Sequence, residues 1–403
     1  MTGKWLKIIG IGEDGLTGLS DSSRIIIENA EHIFGGRRHL DMLPKTTTAV
    51  LHSWKSPLLD SMADLREVAG KHVVVLASGD PMCHGIGVTI GNHLGFDNLQ
   101  IIPSLSAYSL AAARMGWPLT SATTDCLTLH GRPLENLTLH LRNNARLIIL
   151  SADGSTPSHV AELLTLKGYG NSPITVFSHM GGKDEKTYEA IAKSWDNLIT
   201  EDLNVICVSL IADHGVEEFS LLAGLPDDAY SHDGKLTKRE IRAATLALLA
   251  PLPDQLLWDV GTGCGSIAIE WMRAGGRAIA IEDQMERLAM AADNALSLGT
   301  PALKFVEGRA PTALERLPTP NAIFIGGGLT SPGLVDACFD ALPTGGRLVA
   351  NAVTLQGEAK LMDMHERFGG EMSRQSVSRL VKVGPHHGWK PFMQVTQYLL
   401  IKK

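Results

Sequence analysis

The sequence predicts an α/β protein built as two consecutive domains, and three observations predict it. The chain has 403 residues, more than one ordinary core accommodates and enough for two domains of roughly 150 to 220 residues. Short apolar runs alternate with longer amphipathic stretches in both halves. Two glycine-rich elements of different spacing, Gly10-Ile11-Gly12-Glu13-Asp14-Gly15 and Asp259-Val260-Gly261-Thr262-Gly263-Cys264-Gly265, each follow a β-like run, the arrangement of a strand-to-loop ligand site.

In the first half, Trp5–Ile11, His72–Ala77, Leu99–Ile102, Leu127–His130, Arg146–Leu150, Ile174–Phe177 and Asn204–Ile211 read as strands, while Ser104–Met115 and Ser158–Lys167 have helical spacing. Between Ile211 and Lys238 the pattern fades into Asp, Gly, Pro and Ser, which places a linker at 213–235 between a domain of residues 1–212 and a second of residues 236–403. The second domain opens on a helix with Thr237 as N-cap and Glu240 in capping-box position. A strand, glycine loop and helix follow over Gln255–Met272, then strands at Ala278–Ile281, Lys304–Glu307, Ala322–Ile325 and Arg347–Asn351. Ser376–Val383 and Met393–Ile401 are expected to pair as an antiparallel hairpin across a Gly384–Pro391 loop. Strands in βα order with a terminal antiparallel pair make an open doubly wound sheet.

Hydrophobic residues at 44% and charged ones at 20% fit an ordered globular chain. The net charge of −7 argues against a nucleic-acid partner, whose phosphates demand concentrated Lys and Arg. No stretch approaches ~18 uninterrupted apolar residues, and Met1–Gly12 lacks the basic and apolar regions of a secretory signal. Neither a membrane partner nor export is expected. Cys83, Cys126, Cys207, Cys264 and Cys338 are dispersed without Cys-x-x-Cys spacing, as in reduced cytoplasmic thiols. The pair His386-His387 sits in a Gly/Pro-bounded stretch with no Cys or carboxylate at ligand spacing, so it reads as solvated and no metal is expected.

In the second glycine element, Gly261, Gly263 and Gly265 are followed by Ser266, which departs from the dinucleotide spacing G-x-G-x-x-G. Glu282 ends the next strand, where a carboxylate can accept hydrogen bonds from both hydroxyls of a ribose. A tight βα turn alone explains the glycines but not Asp259 and Glu282 around them. Together these residues resemble the class I S-adenosylmethionine-dependent methyltransferases. The resemblance implies S-adenosylmethionine as cofactor, held by Asp259, Gly261, Thr262, Gly263, Gly265, Ser266 and Glu282, with Gly308-Arg309-Ala310 flanking the adenine.

The first glycine element is a weak signal alone. It gains weight from Ala77-Ser78-Gly79-Asp80-Pro81, Gly85-Ile86-Gly87 and Pro103-Ser104-Leu105-Ser106-Ala107. Loops at these separations resemble the tetrapyrrole methylases, whose fold of two α/β subdomains binds the same donor in a cleft. That resemblance assigns donor binding to Gly10, Gly12, Gly79, Asp80, Pro81, Gly85, Ile86, Ser104 and Ser106. The chain departs from the common pattern at Glu13-Asp14, in place of Pro-Gly, and at Ser178-His179-Met180-Gly181-Gly182. Both departures look like the branch that methylates late precorrins, as do Gly35-Gly36-Arg37-Arg38-His39-Leu40 and Leu129-His130-Gly131-Arg132-Pro133.

Such a domain followed by Leu236-Thr237-Lys238-Arg239-Glu240-Ile241-Arg242 and a class I domain resembles the fused late-precorrin methyltransferases of cobalamin biosynthesis along essentially the whole chain. The resemblance implies that one domain methylates C5 of precorrin-6B, and that the other removes CO₂ from the C12 acetate and methylates C15 to give precorrin-8. A substrate rich in carboxylates calls for basic partners, for which Arg37, Arg38, Arg132, Lys238, Arg239 and Lys390 are candidates. By family position Asn351 and Thr354 would line the decarboxylation site. Asp80 is a candidate base, with a loop-closing or ligand-binding role favoured. Both parent folds commonly associate, so a homo-oligomer is expected. The alternatives are the same chemistry on a cobalt-containing precorrin, or an RNA or protein methyltransferase fused to a methylase-like module. The acidic charge and Phe324-Ile325-Gly326-Gly327-Gly328, standing where base methylases carry Asn/Asp-Pro-Pro-aromatic, weigh against the last.

Overall fold

The computed structural model describes residues 4–196 and 198–403. They divide into two compact units, Met1–Leu134 with Arg142–Val216, and Glu135–Leu141 with Glu217–Lys403.

The first unit holds two sheets. In one, β1 (Leu6–Ile11), β2 (His32–Gly35), β3 (Val50–Ser53), β4 (Val73–Ser78) and β5 (Leu99–Ile102) run parallel in the order β3-β2-β4-β1-β5. The central strands β1 and β4 are nearly continuous Ile, Val and Leu because a parallel strand is covered on both faces. Alternation sends Leu6, Ile8, Val73 and Val75 to one core with Leu65 of α3 (Asp60–Glu67), and Ile9, Ile11, Val74 and Leu76 to the other with Ile27 of α1 (Asp21–Glu28). The short α2 (Arg37–Leu40) and α4 (Ile86–Leu94) complete this half.

The second sheet follows α5 (Ala107–Met115). It comprises β6 (Thr124–Thr128), β7 (Arg146–Leu150), β8 (Pro173–Ser178), β9 (Lys186–Ile191) and β10 (Asn204–Ser209), ordered β6-β7-β10-β8-β9, with α6 (Thr156–Leu166) between β7 and β8. Only β6 and β7 are parallel. The sequence reading omits β2, β3 and β9: β2 is only four residues long, while β3 and β9 are edge strands with mostly exposed side chains and no apolar run.

The second unit is a seven-stranded sheet built on β11 (Leu256–Val260), β12 (Arg277–Glu282), β13 (Lys304–Glu307), β14 (Ala322–Ile325) and β15 (Arg347–Ala352). These five are parallel, and β19 (Val395–Ile401) pairs antiparallel with β15 and with β16 (Glu371–Gln375), giving the order β13-β12-β11-β14-β15-β19-β16. Helices α7 (Arg239–Leu249), α8 (Ser266–Arg273), α9 (Met285–Ser297), α10 (Leu334–Ala341) and α11 (Leu355–Phe368) connect and cover it.

Three expectations are corrected here. Ser376–Val383 does not pair with Met393–Ile401: the stretch expected as a loop is β18 (His386–Pro391), which pairs with β17 (Ser378–Val383) as a separate two-stranded sheet, leaving β19 to the main sheet. Its buried apolar run explains that choice, whereas β17 and β18 are largely exposed, His386 and His387 included. The N-cap of α7 is Lys238, whose side chain has no acceptor and makes no cap bond, and the Glu240 carboxylate accepts from Arg379.

The third correction concerns the expected linker at 213–235, which is largely solvent-facing but is anchored to the second unit through the buried Leu225 and Tyr230. Leu225, Tyr230 and Leu236 join the cluster around Trp271 and Ile267. Arg242 of α7 is fully buried and donates to Glu270 of α8 at 2.5 Å, to the Thr237 carbonyl at 2.6 Å and to the Leu225 carbonyl. Glu270 also accepts from the backbone of Gly224 and Leu225 and from the Tyr230 hydroxyl. One buried ion pair thus fastens a polar-looking segment by its backbone.

Candidate active sites

In the first unit the loops after β1, β4 and β5 interlock at the carboxyl edge of the parallel sheet. Gly79 N donates to Ile11 O at 3.0 Å, and Ser104 N donates to Gly79 O at 3.1 Å. A Cβ on Gly10 would overlap the Gly79 carbonyl oxygen and stand 2.6 Å from Ser104 N, so only glycine admits this approach. Gly85 and Gly87 likewise pack on Pro81, whose carbonyl accepts from Gly87 N. The result is a cleft of about 460 Å³ between the two sheets.

Of the residues expected there, Gly12, Gly79, Asp80, Gly85, Ile86, Ser106 and Arg38 line the cleft, while Gly10, Pro81 and Ser104 shape the loops behind the lining. Asp80 accepts from Met82 N at 2.8 Å, closing its own turn. Ser106 caps α5 by accepting from Ser109 N. Arg37 and Arg132 are exposed and outside the lining, since the start of α2 turns Arg37 to solvent and Arg38 inward.

Sequence reasoning missed what surrounds Arg38. The carboxylate of Glu13 accepts from Arg38 through one oxygen and from His179 Nδ1 at 2.8 Å through the other. Arg38 also donates to Ser78 Oγ at 2.9 Å and to His39 Nε2 at 3.1 Å. Burial, helped by the adjacent guanidinium, pushes the His39 imidazole down to about 4, so it is neutral at physiological pH. The signal was present as the two departures at Glu13 and His179, but not the fact that they meet.

In the second unit, Asp259 on β11 is 1% exposed. Its Oδ2 accepts from Thr262 Oγ1 at 2.6 Å and from Ala268 N at 3.1 Å, while Oδ1 is buried without a protein partner. Burial pushes this carboxyl up to about 6. Gly261, Gly263 and Gly265 have φ of 72°, 57° and 84°, the left-handed region that glycine alone enters freely. Glu282 accepts from Gly263 N at 3.0 Å and from Gln284 N at 3.3 Å. Gly308-Arg309-Ala310 follows β13 at the same edge, with Gly308 N donating to Glu282 O. Gly326-Gly327 after β14 backs the loop, since a Cβ on Gly261 would come 2.7 Å from Gly327 N.

Part of the expected linker forms a wall of this second site. Asn294 of α9 donates to the carbonyls of Cys264 and Ser231 and accepts from Ser231 N, each at 2.9 Å. Arg287, 3.9 Å from Glu282, donates to Asp233 at 2.8 and 3.0 Å. Asn351 is held in a buried amide network: it donates to Thr245 Oγ1 at 3.0 Å and accepts from Gln397 Nε2 at 3.1 Å. Thr354 is exposed and caps α11, accepting from Gly357 N, which leaves its own O–H free to donate. Lys238 and Arg239 lie at the start of α7 and Lys390 is exposed on β18, opposite Arg379 of β17, which pairs with Asp227 and with Glu240 of α7. Among the described residues no group of His, Cys, Asp and Glu has metal-holding geometry, and no helix is long and apolar enough to cross a membrane.

Two family models match the chain: Tetrapyrrole (Corrin/Porphyrin) Methylases over residues 6–194, and Precorrin methyltransferase domain over residues 228–402. A Sinorhizobium relative, precorrin-6Y C(5,15)-methyltransferase (decarboxylating), is 45% identical over 98% of this chain and 95% of its own length. The Salmonella typhimurium cobalt-precorrin-7 C(5)-methyltransferase is 27% identical over 45% of this chain and 89% of its own. A Pyrobaculum aerophilum protein, probable cobalt-precorrin-6B C(15)-methyltransferase (decarboxylating), is 33% identical over 36% of this chain and 78% of its own. Two unlike glycine-loop sites in separate α/β units thus coincide with two family matches and a relative aligned along nearly the whole of both chains, and the chain belongs to the precorrin-6Y C(5,15)-methyltransferase (decarboxylating) family.

Proposed function

We propose that the chain is a bifunctional S-adenosylmethionine-dependent enzyme of cobalamin biosynthesis. The first unit methylates C5 of precorrin-6B; the second removes CO₂ from the C12 acetate and methylates C15, giving precorrin-8. The observation that carries the reading is the second site's chemistry: a buried carboxylate oxygen of Asp259 without a protein partner, beside three left-handed glycines and the Glu282 carboxylate. Those groups fit a donor that is cationic at one end and carries a ribose. S-adenosylmethionine, when bound, supplies an electrophilic methyl group whose departure leaves a neutral thioether.

The residues then have mainly to align and to exclude water. Asp259 attracts the cationic end, and Glu282 retains acceptor capacity beyond its backbone bonds for two hydroxyls. Gly261, Gly263 and Gly265 let the backbone approach closely. Asn351 acts as a positioning residue at the end of β15 through Thr245 and Gln397. The decarboxylation leaves its electron pair to the conjugated macrocycle, so no group on the chain has to accept it. In the first unit the interlocked loops hold the donor, and Arg38 meets a substrate carboxylate. The functional boundary is revised to about residue 217, since 217–235 packs on the second unit. A cytoplasmic homo-oligomer without nucleic-acid partners completes the proposal.

The test is product analysis by mass spectrometry with full-length variants and precorrin-6B. Glu282→Ala should retain the C12 acetate and lack the C15 methyl, whereas Gly10→Ala should still lose CO₂ and gain that methyl. Loss of decarboxylation in Gly10→Ala would overturn the division of labour.

A further inference from the structure

Glu13 and His179, the two departures from the tetrapyrrole methylase pattern, are far apart in sequence and 2.8 Å apart in space. Gly182 is part of the same fit, because a Cβ there would come 2.8 Å from that of Glu13. The Glu13 side chain is 15% exposed and bridges Arg38 and His179, which remain 37% and 29% exposed, and both Glu13 and Arg38 line the cleft. Arg38 is independently held by two uncharged partners, Ser78 and the neutral His39. Its position therefore does not depend on Glu13. A guanidinium fork accepts any carboxylate of suitable approach, and exchanging one carboxylate for another keeps the charge paired at each end of the process.

We propose that Glu13 is an internal carboxylate placeholder, which occupies Arg38 and His179 and is displaced by a peripheral carboxylate of the tetrapyrrole. The inference rests on the reading of the first unit as a tetrapyrrole site. It makes the cleft selective for ionised ring substituents, since a neutral ester or amide cannot take over the guanidinium and gains nothing by displacing Glu13. Competition from the placeholder weakens substrate binding but keeps Arg38 from standing in the cleft without a counter-charge.

The test is equilibrium binding to the full-length chain of an octacarboxylate porphyrin and its octamethyl ester, read by fluorescence. Glu13→Gln should bind the octacarboxylate about tenfold more tightly, leave the ester unchanged and leave S-adenosylmethionine binding within about twofold. Arg38→Gln should weaken the octacarboxylate, and Glu13→Gln/Arg38→Gln should match Arg38→Gln alone. Glu13→Asp, too short to span both partners, should give a smaller gain and guards against loss of fold in the first variant. Unchanged or weaker octacarboxylate binding in Glu13→Gln, an equal gain for the ester, or a gain that survives loss of Arg38 overturns the placeholder. The wild-type rate of C5 methylation decides the underlying reading separately, because the binding comparison needs no turnover.

Discussion

Gly10 in the first unit is not in a left-handed conformation, yet the Gly79 carbonyl stands where its Cβ would be. Gly263 in the second has nothing within 4 Å of a Cβ but a φ of 57°. The first loop is thus defined at Gly10 by what neighbouring loops bring against it, the second at Gly263 by the handedness of its own backbone; Gly261 and Gly265 carry both constraints. A cleft assembled from three interlocked loops is sensitive to added volume. A strand–loop–helix turn is sensitive to chirality and tolerates a side chain that suits a positive φ.

The largest expected effect tests whether the second unit includes the segment before α7. Glu270→Ala leaves the buried Arg242 with Asp227, at 3.2 Å, as its remaining carboxylate and the amides of Gly224 and Leu225 without their acceptor, which should cost about 3 kcal/mol. Calorimetry should show the second unit's transition falling while the first unit's stays in place. Coincident movement of both would mean that the stability of the two units is not separable.

Next in size, Gly10→Ala should destabilise the first unit by about 3 kcal/mol, the upper end for overpacking, because the opposing atoms are backbone. Its donor site should be lost. A variant that keeps normal donor binding there would contradict the volume argument.

The burial of Asp259 gives an effect in pH. Burial raises its carboxyl to about 6 in the folded chain, above the ordinary 3.8, so the folded state binds the extra proton between those values and stability falls as pH rises through that window. Donor binding runs the opposite way, since a cationic ligand needs the ionised form: affinity at the second site should rise about tenfold from pH 5 to pH 7. Asp259→Asn should flatten both profiles. A profile unchanged by that substitution would remove Asp259 from the account.

The smallest effect sharpens the comparison at its other end. Gly263→Ala should cost about 1 kcal/mol from torsional strain alone, and Gly263→Asn less, because asparagine tolerates this region. At Gly10 asparagine should be worse than alanine. Equal ranking of the two residues at both positions would erase the distinction.

The same contrast explains what was legible in the sequence. Parallel strands such as β1, β4, β11 and β12 announce themselves because burial on both faces requires continuous apolar residues, and Asp259 and Glu282 stand at their ends. Edge strands β3 and β9 carry no such run, and β17 with β18 forms an exposed pair that resembles a loop in composition. The segment after residue 217 is anchored through backbone groups to Glu270 and Asn294, contacts that leave no mark in its own side chains. The Glu13–His179 contact joins two motifs that were each visible; their meeting depends on how the second sheet returns to the first.

Titration of the full-length chain with S-adenosylmethionine tests the central claim of two independent donor sites most directly. Two saturable sites per chain are expected, with one remaining in Gly10→Ala and one in Glu282→Ala. A single site in the wild-type chain, or loss of both sites in either variant, would contradict it.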